Sequence, residues 1–141
     1  MGVSCDMSKL ILAGSSSGAT IAAILAQRCR DASKSVLGVF LNVPVLCHYL
    51  HFRWDTVISP SSGAGAGPQV SPLHGMMAEL SPHLVFVAGR NSPRDEGMLY
   101  TKKLEDNGVS VKLHVYAGVP HNFAHYEELG ATAQFWRDLK Q

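Results

Sequence analysis

The chain has 141 residues, 46% hydrophobic and 16% charged, which is the composition of one globular domain and excludes a disordered chain. The formal net charge is +1 with no basic run, so neither nucleic acid nor an anionic membrane is an expected partner. No apolar run reaches the roughly 20 residues of a membrane span, and the three cysteines lack the spacing of a disulfide framework or zinc site. Without a recognisable signal peptide, a soluble, reduced, cytoplasmic protein is expected.

Four short apolar runs are predicted to form parallel strands, at residues 10–13, 36–43, 84–88 and 111–116. The first three are apolar throughout, which is typical of strands covered by helices on both faces. Helices are predicted at residues 17–30, 93–107 and 131–139. This alternation predicts an α/β fold, with a mostly parallel sheet of about four strands flanked by helices.

The ends of the second helix carry clear local signals. Ser92 fits the N-cap, Pro93 the first helical position, and Asp95 the acid of a capping box. Gly108 fits the position just after the C-terminus. The last helix offers three side chains for burial, namely Phe135, Trp136 and Leu139.

Residues 44–72 interrupt the alternation and are predicted to be an inserted, partly flexible loop. Such insertions often border a ligand site, and a tolerated surface loop is the alternative. Three aromatic side chains are candidates for an apolar substrate pocket, or for ordinary packing: Tyr49, Phe52 and Trp54. His48 and His51 with Asp55 resemble a loose metal cluster, but surface or pocket-lining roles are favoured. Cys47 has no evident activating partner, which favours a buried apolar role over a reactive thiol.

A G-x-S-x-G motif joins the first strand to the first helix, in residues 14–18. In this strand–turn–helix context the motif is typical of a nucleophile elbow, in which a strained turn lifts a serine hydroxyl above the sheet. Only Ser16 has a glycine two residues away on both sides, so it is the candidate rather than Ser15 or Ser17. The glycines are expected to avoid backbone clashes, and the Ser17 N–H to point at an oxyanion. A plain Gly/Ser turn is the alternative.

A nucleophilic serine needs a base within hydrogen-bonding distance, and seven histidines compete for that role. His114 lies within a predicted strand, which favours a structural role. His121 follows the last strand, at the sheet edge where sites of parallel sheets collect. Its position makes it a candidate without excluding the others.

Several stretches in the order of this chain resemble one family: GVSCDMSKLILAGSSSGAT, SPLHG, HLVFVAGRNSPRDEGMLYTKKLEDNGVSVKLHVYAGVPHNF and the closing helix. These are similar to the hormone-sensitive-lipase-like esterases, the α/β-hydrolase fold-3 family. The resemblance implies that Ser16 is the nucleophile and His121 the general base. It also implies that residues 14–18 match the G-D-S-A-G elbow of the family, with Ser15 in place of Asp, and Ser15 is a candidate for substrate binding.

The acid position departs from the family. Its G-x-D-P-L-x-D loop, whose first Asp orients the histidine, is here residues 89–95, with Asn91 at the acid position. An Asn can accept a hydrogen bond from imidazole but cannot stabilise imidazolium by charge. Asp95 could substitute if the loop is rebuilt, although capping its own helix is the favoured role, and Asp55 is a weaker candidate.

The family also carries, before the elbow, half of the sheet, a cap and an H-G-G loop with further oxyanion amides. Residues 1–141 are therefore expected to form a single domain that corresponds to the C-terminal half of an α/β-hydrolase. The 10–13 strand would become an open edge, which favours a homodimer or another association that covers it.

Two hypotheses follow. In the first, the protein is a carboxylic ester or thioester hydrolase, or an acyl-transfer enzyme, that acts on a small organic substrate. It uses Ser16, His121, the Ser17 N–H and either Asn91 or Asp95, with no cofactor and no metal. In the second, it has lost hydrolysis and is a binding protein, or an enzyme of cyclase-like or dehydratase-like proton transfer. The Asn91 change favours the second hypothesis.

Overall fold

The computed structural model describes residues 6, 9–47 and 67–140. It contains four strands in one sheet: β1 (Ile11–Ser15), β2 (Gly38–Asn42), β3 (His83–Ala88) and β4 (Val111–Tyr116). Three α-helices flank them: α1 (Ser17–Asp31), α2 (Arg94–Asp106) and α3 (Gly130–Asp138). Single 3₁₀ turns span Pro72–His74 and Phe123–His125.

The strands follow one another across the sheet in the order β1-β2-β3-β4, and each neighbouring pair is parallel. The predicted α/β class with a parallel sheet of four strands is therefore confirmed. All four strands end at the same edge of the sheet. The turns that follow β1, β3 and β4 carry Ser16, Asn91 and His121 respectively.

Alternate side chains of the strands supply two separate cores. On one face Val85 and Val87 of β3 pack in a cluster that includes the small residues of α1 and Tyr100 of α2. On the other face Phe86 packs with Tyr116, Phe123 and Phe135 of α3. Phe86 makes edge-to-face contact with Phe135 at a ring-centroid distance of 5.1 Å. The sheet is therefore covered on both faces, as the continuous apolar runs of β2 and β3 predict.

The first strand differs from this expectation. Within the described ranges β1 pairs only with β2, and Ile11 is 61% exposed. The prediction that helices cover this strand on both faces is therefore wrong for β1 within the described residues. The strand forms the edge of the sheet in the part of the chain that is described.

Helix ends follow the local signals only in part. α2 begins at Arg94, with Pro93 as its N-cap and no side-chain capping hydrogen bond, so the predicted Ser92 cap and Asp95 capping box are wrong. The Asp95 carboxylate pairs instead with Arg94 at 2.7 Å. The prediction for Gly108 is confirmed, since it adopts a φ of 75° and the Val109 N–H donates to Leu104 O.

Burial in α3 also departs from the prediction in one place. Phe135 is buried and Leu139 partly buried, as predicted, but Trp136 is 49% exposed. The structural role expected for His114 is confirmed, because its Nδ1 lies 3.2 Å from Asp138 Oδ2 and so ties β4 to α3.

Candidate active site

Ser16 occupies the turn between β1 and α1, in a conformation that serine rarely adopts. Its φ is 56° and its ψ is −122°, outside the regions that L-residues prefer. The Ser16 N–H donates to Asn42 O of the neighbouring strand at 2.9 Å, and the Ser16 carbonyl accepts from Ala19 N–H at 3.0 Å. Strain of this kind persists only where the surroundings over-determine the backbone. The local geometry is that of a sharp strand-to-helix turn.

Gly14 permits the close approach between the end of β1 and the start of α1. A Cβ on Gly14 would lie 2.2 Å from Gly18 O, a distance that no side chain tolerates. A Cβ on Gly18 would meet no described atom within 4 Å. The prediction that a side chain at this position would clash with the backbone is therefore confirmed for Gly14. It is wrong for Gly18.

His121 lies between Ser16 and Asn91. Its Nε2 is 2.9 Å from Ser16 Oγ, and its Nδ1 is 3.0 Å from Asn91 Oδ1. An amide oxygen is only an acceptor, so this contact requires the proton on Nδ1 and leaves Nε2 free to accept the Ser16 hydroxyl hydrogen. The arrangement can therefore withdraw a proton from Ser16.

Hydrogen bonds between two neighbouring loops hold Asn91 and His121 in register. Gly89 N–H donates to Tyr116 O at 2.8 Å, and Arg90 N–H donates to Val119 O at 3.0 Å. These bonds extend the β3–β4 pairing beyond the strands. From the far side, Thr132 Oγ1 of α3 donates to Phe123 O at 2.9 Å and so fixes the segment that follows His121.

The structure does not bring Asp95 to His121. Asp95 is half-exposed on α2 and pairs with its neighbour Arg94, while Asn91 occupies the position beside the imidazole. Four of the remaining candidates, Tyr49, Phe52, Trp54 and Asp55, lie outside the described residues, as do His48 and His51.

Ser17 is the first residue of α1. Its N–H thus belongs to the amides at a helix N-terminus that have no acceptor within the helix. The positive end of the helix dipole adds to the attraction for a negatively charged oxygen. This amide is suited to an oxyanion that forms on a carbonyl bonded to Ser16.

Two polar residues that support this edge of the sheet were not identified from the sequence. Asn42, at the end of β2, donates through Nδ2 to Ser15 Oγ at 3.1 Å. Glu96 of α2 accepts from the backbone N–H groups of Leu46 and Cys47 at 2.7 and 2.8 Å, and its burial raises the pKa of its carboxyl above the ordinary value. No motif marks either residue, because both contacts depend on how distant segments pack.

Cys47 is 2% exposed, which confirms the expected burial, but its Sγ lies 3.7 Å from His74 Nε2, a partner that the sequence did not indicate. Burial, followed by the nearby Glu96 carboxylate, raises the pKa of its thiol, so the reactive thiolate is disfavoured. No group of three His, Cys, Asp or Glu side chains in the described ranges could hold a metal ion. The helices of the described part include none long and apolar enough to cross a membrane.

An open groove of about 740 Å³ runs along α2 and β4, lined in part by Met98, Leu113 and Val115. Ser16 and His121 are not among its lining residues. This groove is therefore not assigned to the substrate of the Ser16–His121 pair.

Comparison with known proteins identifies the family and the fold. A family model described as the α/β-hydrolase fold matches residues 2–53 and 48–125. Esterase LipI of Mycobacterium tuberculosis is 26% identical over 151 aligned positions, covering 88% of this chain and 45% of its own. A thermostable esterase from Pseudomonas putida superposes with a TM-score of 0.80 and 25% identity, over 93% of this chain and 49% of that one. A hyperthermophilic esterase from Pyrobaculum calidifontis superposes with a TM-score of 0.78 and 26% identity, over 95% of this chain and 52% of that one. The chain thus spans about half the length of these relatives.

Proposed function

Because this chain belongs to the α/β-hydrolase fold-3, or hormone-sensitive-lipase-like, family, we propose that it acts on a carboxylic ester or thioester of a small organic molecule. One observation carries the proposal: His121 contacts Ser16 Oγ through one ring nitrogen and Asn91 Oδ1 through the other, at 2.9 and 3.0 Å. These distances suit a nucleophile, its base and the group that orients the base. The esterases among the similar proteins support the same reaction class.

In the proposed reaction, Ser16 Oγ attacks the carbonyl carbon while its proton passes to His121 Nε2. The tetrahedral intermediate places its negative oxygen at the Ser17 N–H. As the carbon–oxygen or carbon–sulfur bond breaks, Nε2 returns the proton to the leaving group. Water, deprotonated by the same nitrogen, then releases the acid from Ser16. Acyl transfer to another alcohol would follow the same steps.

Asn91 sets the expected rate. It holds the Nδ1–H tautomer but places no negative charge beside the imidazolium that forms during attack. In a serine protease the change from Asp to Asn at this position lowers turnover by about 10⁴-fold. The proposed enzyme is therefore slow in its present form, and the acyl-enzyme is a more sensitive readout than turnover.

Among the described residues, the Ser17 N–H is the one amide assigned to the oxyanion. Removal of one donor in a comparable site costs about 2.7–4 kcal/mol of barrier. The H-G-G loop implied by the family resemblance is the proposed source of further amides, supplied by a polypeptide segment next to β1. Substrate hydrolysis by residues 1–141 alone is accordingly expected to be weak.

Asn91 gives one reason to keep a second candidate function, a proton-transfer reaction without hydrolysis, such as cyclisation or dehydration. A neutral Ser16–His121–Asn91 set can still move one proton between Nε2 and a bound substrate. It does so without the charge separation that ester attack requires. In this case Ser16 would orient the substrate and form no covalent bond.

A fluorophosphonate probe separates the two functions, because it phosphonylates an activated serine irreversibly. We expect slow labelling at Ser16 in the wild-type chain, with release of fluoride and a proton. We also expect a small burst of p-nitrophenol from p-nitrophenyl acetate. Ser16→Ala and His121→Ala should lose both signals. Ser35→Ala, an exposed serine before β2, is the matched control. An unlabelled wild-type chain, or equal labelling of Ser16→Ala, contradicts the hydrolase proposal.

A further inference from the structure

Asn42 contacts the elbow twice from the neighbouring strand. Its backbone carbonyl accepts the Ser16 N–H at 2.9 Å, and its side-chain amide donates to Ser15 Oγ at 3.1 Å. The parallel register places Asn42 directly opposite Ser15. One residue of β2 therefore holds both residues at the point where the chain turns from β1 into α1.

The burial of Asn42 is costly for the fold. The residue is 8% exposed, and its Oδ1 is buried without a hydrogen-bond partner among the described residues. A buried unpaired polar atom destabilises the folded state, so an apolar residue would serve better if packing were its only role. The next residue adds to the cost, since Val43 is buried with a φ of 42°, which a β-branched side chain disfavours.

These costs lie where the backbone needs restraint. Ser16 has a strained φ of 56°, and its Oγ must stay at 2.9 Å from His121 Nε2. Errors of about 1 Å in such a contact cost on the order of 100-fold in rate. A second hydrogen bond beside the backbone one restricts rotation of the peptide between Ser15 and Ser16.

We infer that Asn42 is a positioning residue for Ser16 and that it acts through Ser15. In this chain the hydroxyl of Ser15 is the partner of the Asn42 amide. The inference rests on the proposed function for its effect on rate. Its effect on the backbone of the elbow is independent of any reaction.

The test is a double-mutant cycle with Asn42→Ala, Ser15→Ala and the double variant, with Ser15→Thr as the conservative change. Each single variant should lower the limiting rate of fluorophosphonate labelling about tenfold, or about 1.4 kcal/mol, with the probe concentration at half-maximal rate unchanged. The double variant should be no slower than either single one. Ser15→Thr keeps the hydroxyl and should restore most of the rate.

Amide hydrogen exchange of Ser16, read by NMR, gives a second measurement that needs no activity. Asn42→Ala and Ser15→Ala should speed exchange of this amide about tenfold, and the exposed Ser35→Ala should not. Ser15 is itself exposed, so Ser15→Ala still tests exchange of the Ser16 amide even if Asn42→Ala fails to fold. Unchanged Ser16 exchange, or additive losses in the double variant, overturns the positioning role. An unlabelled wild-type chain with faster exchange in the variants overturns only the proposed function.

Discussion

His121 Nε2 lies 2.9 Å from Ser16 Oγ, although the two residues are 105 positions apart in the chain. The other ring nitrogen faces the neutral Asn91 at 3.0 Å. The base is thus oriented at both nitrogens, and within residues 9–47 and 67–140 no carboxylate contacts it. A carboxylate would both orient the imidazole and stabilise its positive charge, whereas the Asn91 amide only orients it.

Asn91→Asp is therefore expected to increase the rate of fluorophosphonate labelling and the p-nitrophenyl acetate burst. A carboxylate would accept the same Nδ1–H and stabilise the imidazolium, for a gain of at least tenfold and at most on the order of 10⁴-fold. Asn91→Ala should lower the rate, because the imidazole loses its partner. Asp95→Asn is the control, since Asp95 pairs with Arg94. A large loss in Asp95→Asn, with no gain in Asn91→Asp, would show that Asp95 supplies the acid.

Gly14→Ala is expected to destabilise the fold by about 2 kcal/mol or more, because the added methyl would lie 2.2 Å from Gly18 O. The backbone around Ser16 must move to relieve the contact. Gly18→Ala is the matched change, and its methyl meets no described atom within 4 Å. Urea unfolding of the two variants should give a clear destabilisation for the first and a neutral or slightly stabilising effect for the second. Equal effects would contradict the close approach at Gly14.

His83 makes stability depend on pH. Burial lowers the pKa of His83 to about 4 from 6.5, so the folded state keeps the imidazole neutral while the unfolded state binds a proton first. The part of the free energy of unfolding that depends on a neutral His83 is fully present above pH 6.5 and is lost as the pH falls towards 4. The loss is about 3 kcal/mol in total.

The measurement for His83 is urea unfolding at pH 7.5 and pH 4.5. His83→Gln should show a smaller loss between the two pH values than the wild-type chain. The exposed His125→Gln should behave as wild type, which separates this histidine from the general effect of acid. Parallel losses in the wild type and His83→Gln would show that groups other than His83 control the acid response.

The β1 edge is expected to associate with a second polypeptide, in the simplest case another copy of this chain. Ile11 on β1 is 61% exposed and Leu37 beside it 53% exposed, and an open apolar strand edge is prone to pairing. Sedimentation velocity should show a concentration-dependent dimer that Ile11→Lys weakens at least tenfold.

Met98→Lys is the matched control for this edge, because Met98 lies on α2 in the groove beside β4. It should leave the dimer intact. A wild-type chain that stays monomeric at all concentrations contradicts the expectation, and loss of the dimer in Met98→Lys alone would place the contact at the β4 side.

The sequence by itself determined the features that depend on neighbouring residues. The four apolar runs predicted the strands within a few residues, and the glycine pattern selected Ser16 as the residue of the turn. Gly108 could be assigned because a left-handed position after a helix favours glycine whatever the rest of the fold does.

Only the tertiary structure decided which polar groups meet. The β3–β4 loop pairing brought Asn91 rather than Asp95 to His121, and the β1–β2 register set Asn42 against Ser15. Trp136 was expected to be buried as an apolar residue of the last helix, yet it is half-exposed, because Phe135 and its neighbours fill the buried face of α3. A hydrogen bond depends on a position in three dimensions to within a few tenths of an ångström. Local sequence preferences restrict the backbone, but they do not specify the distance between strands that are far apart in the chain.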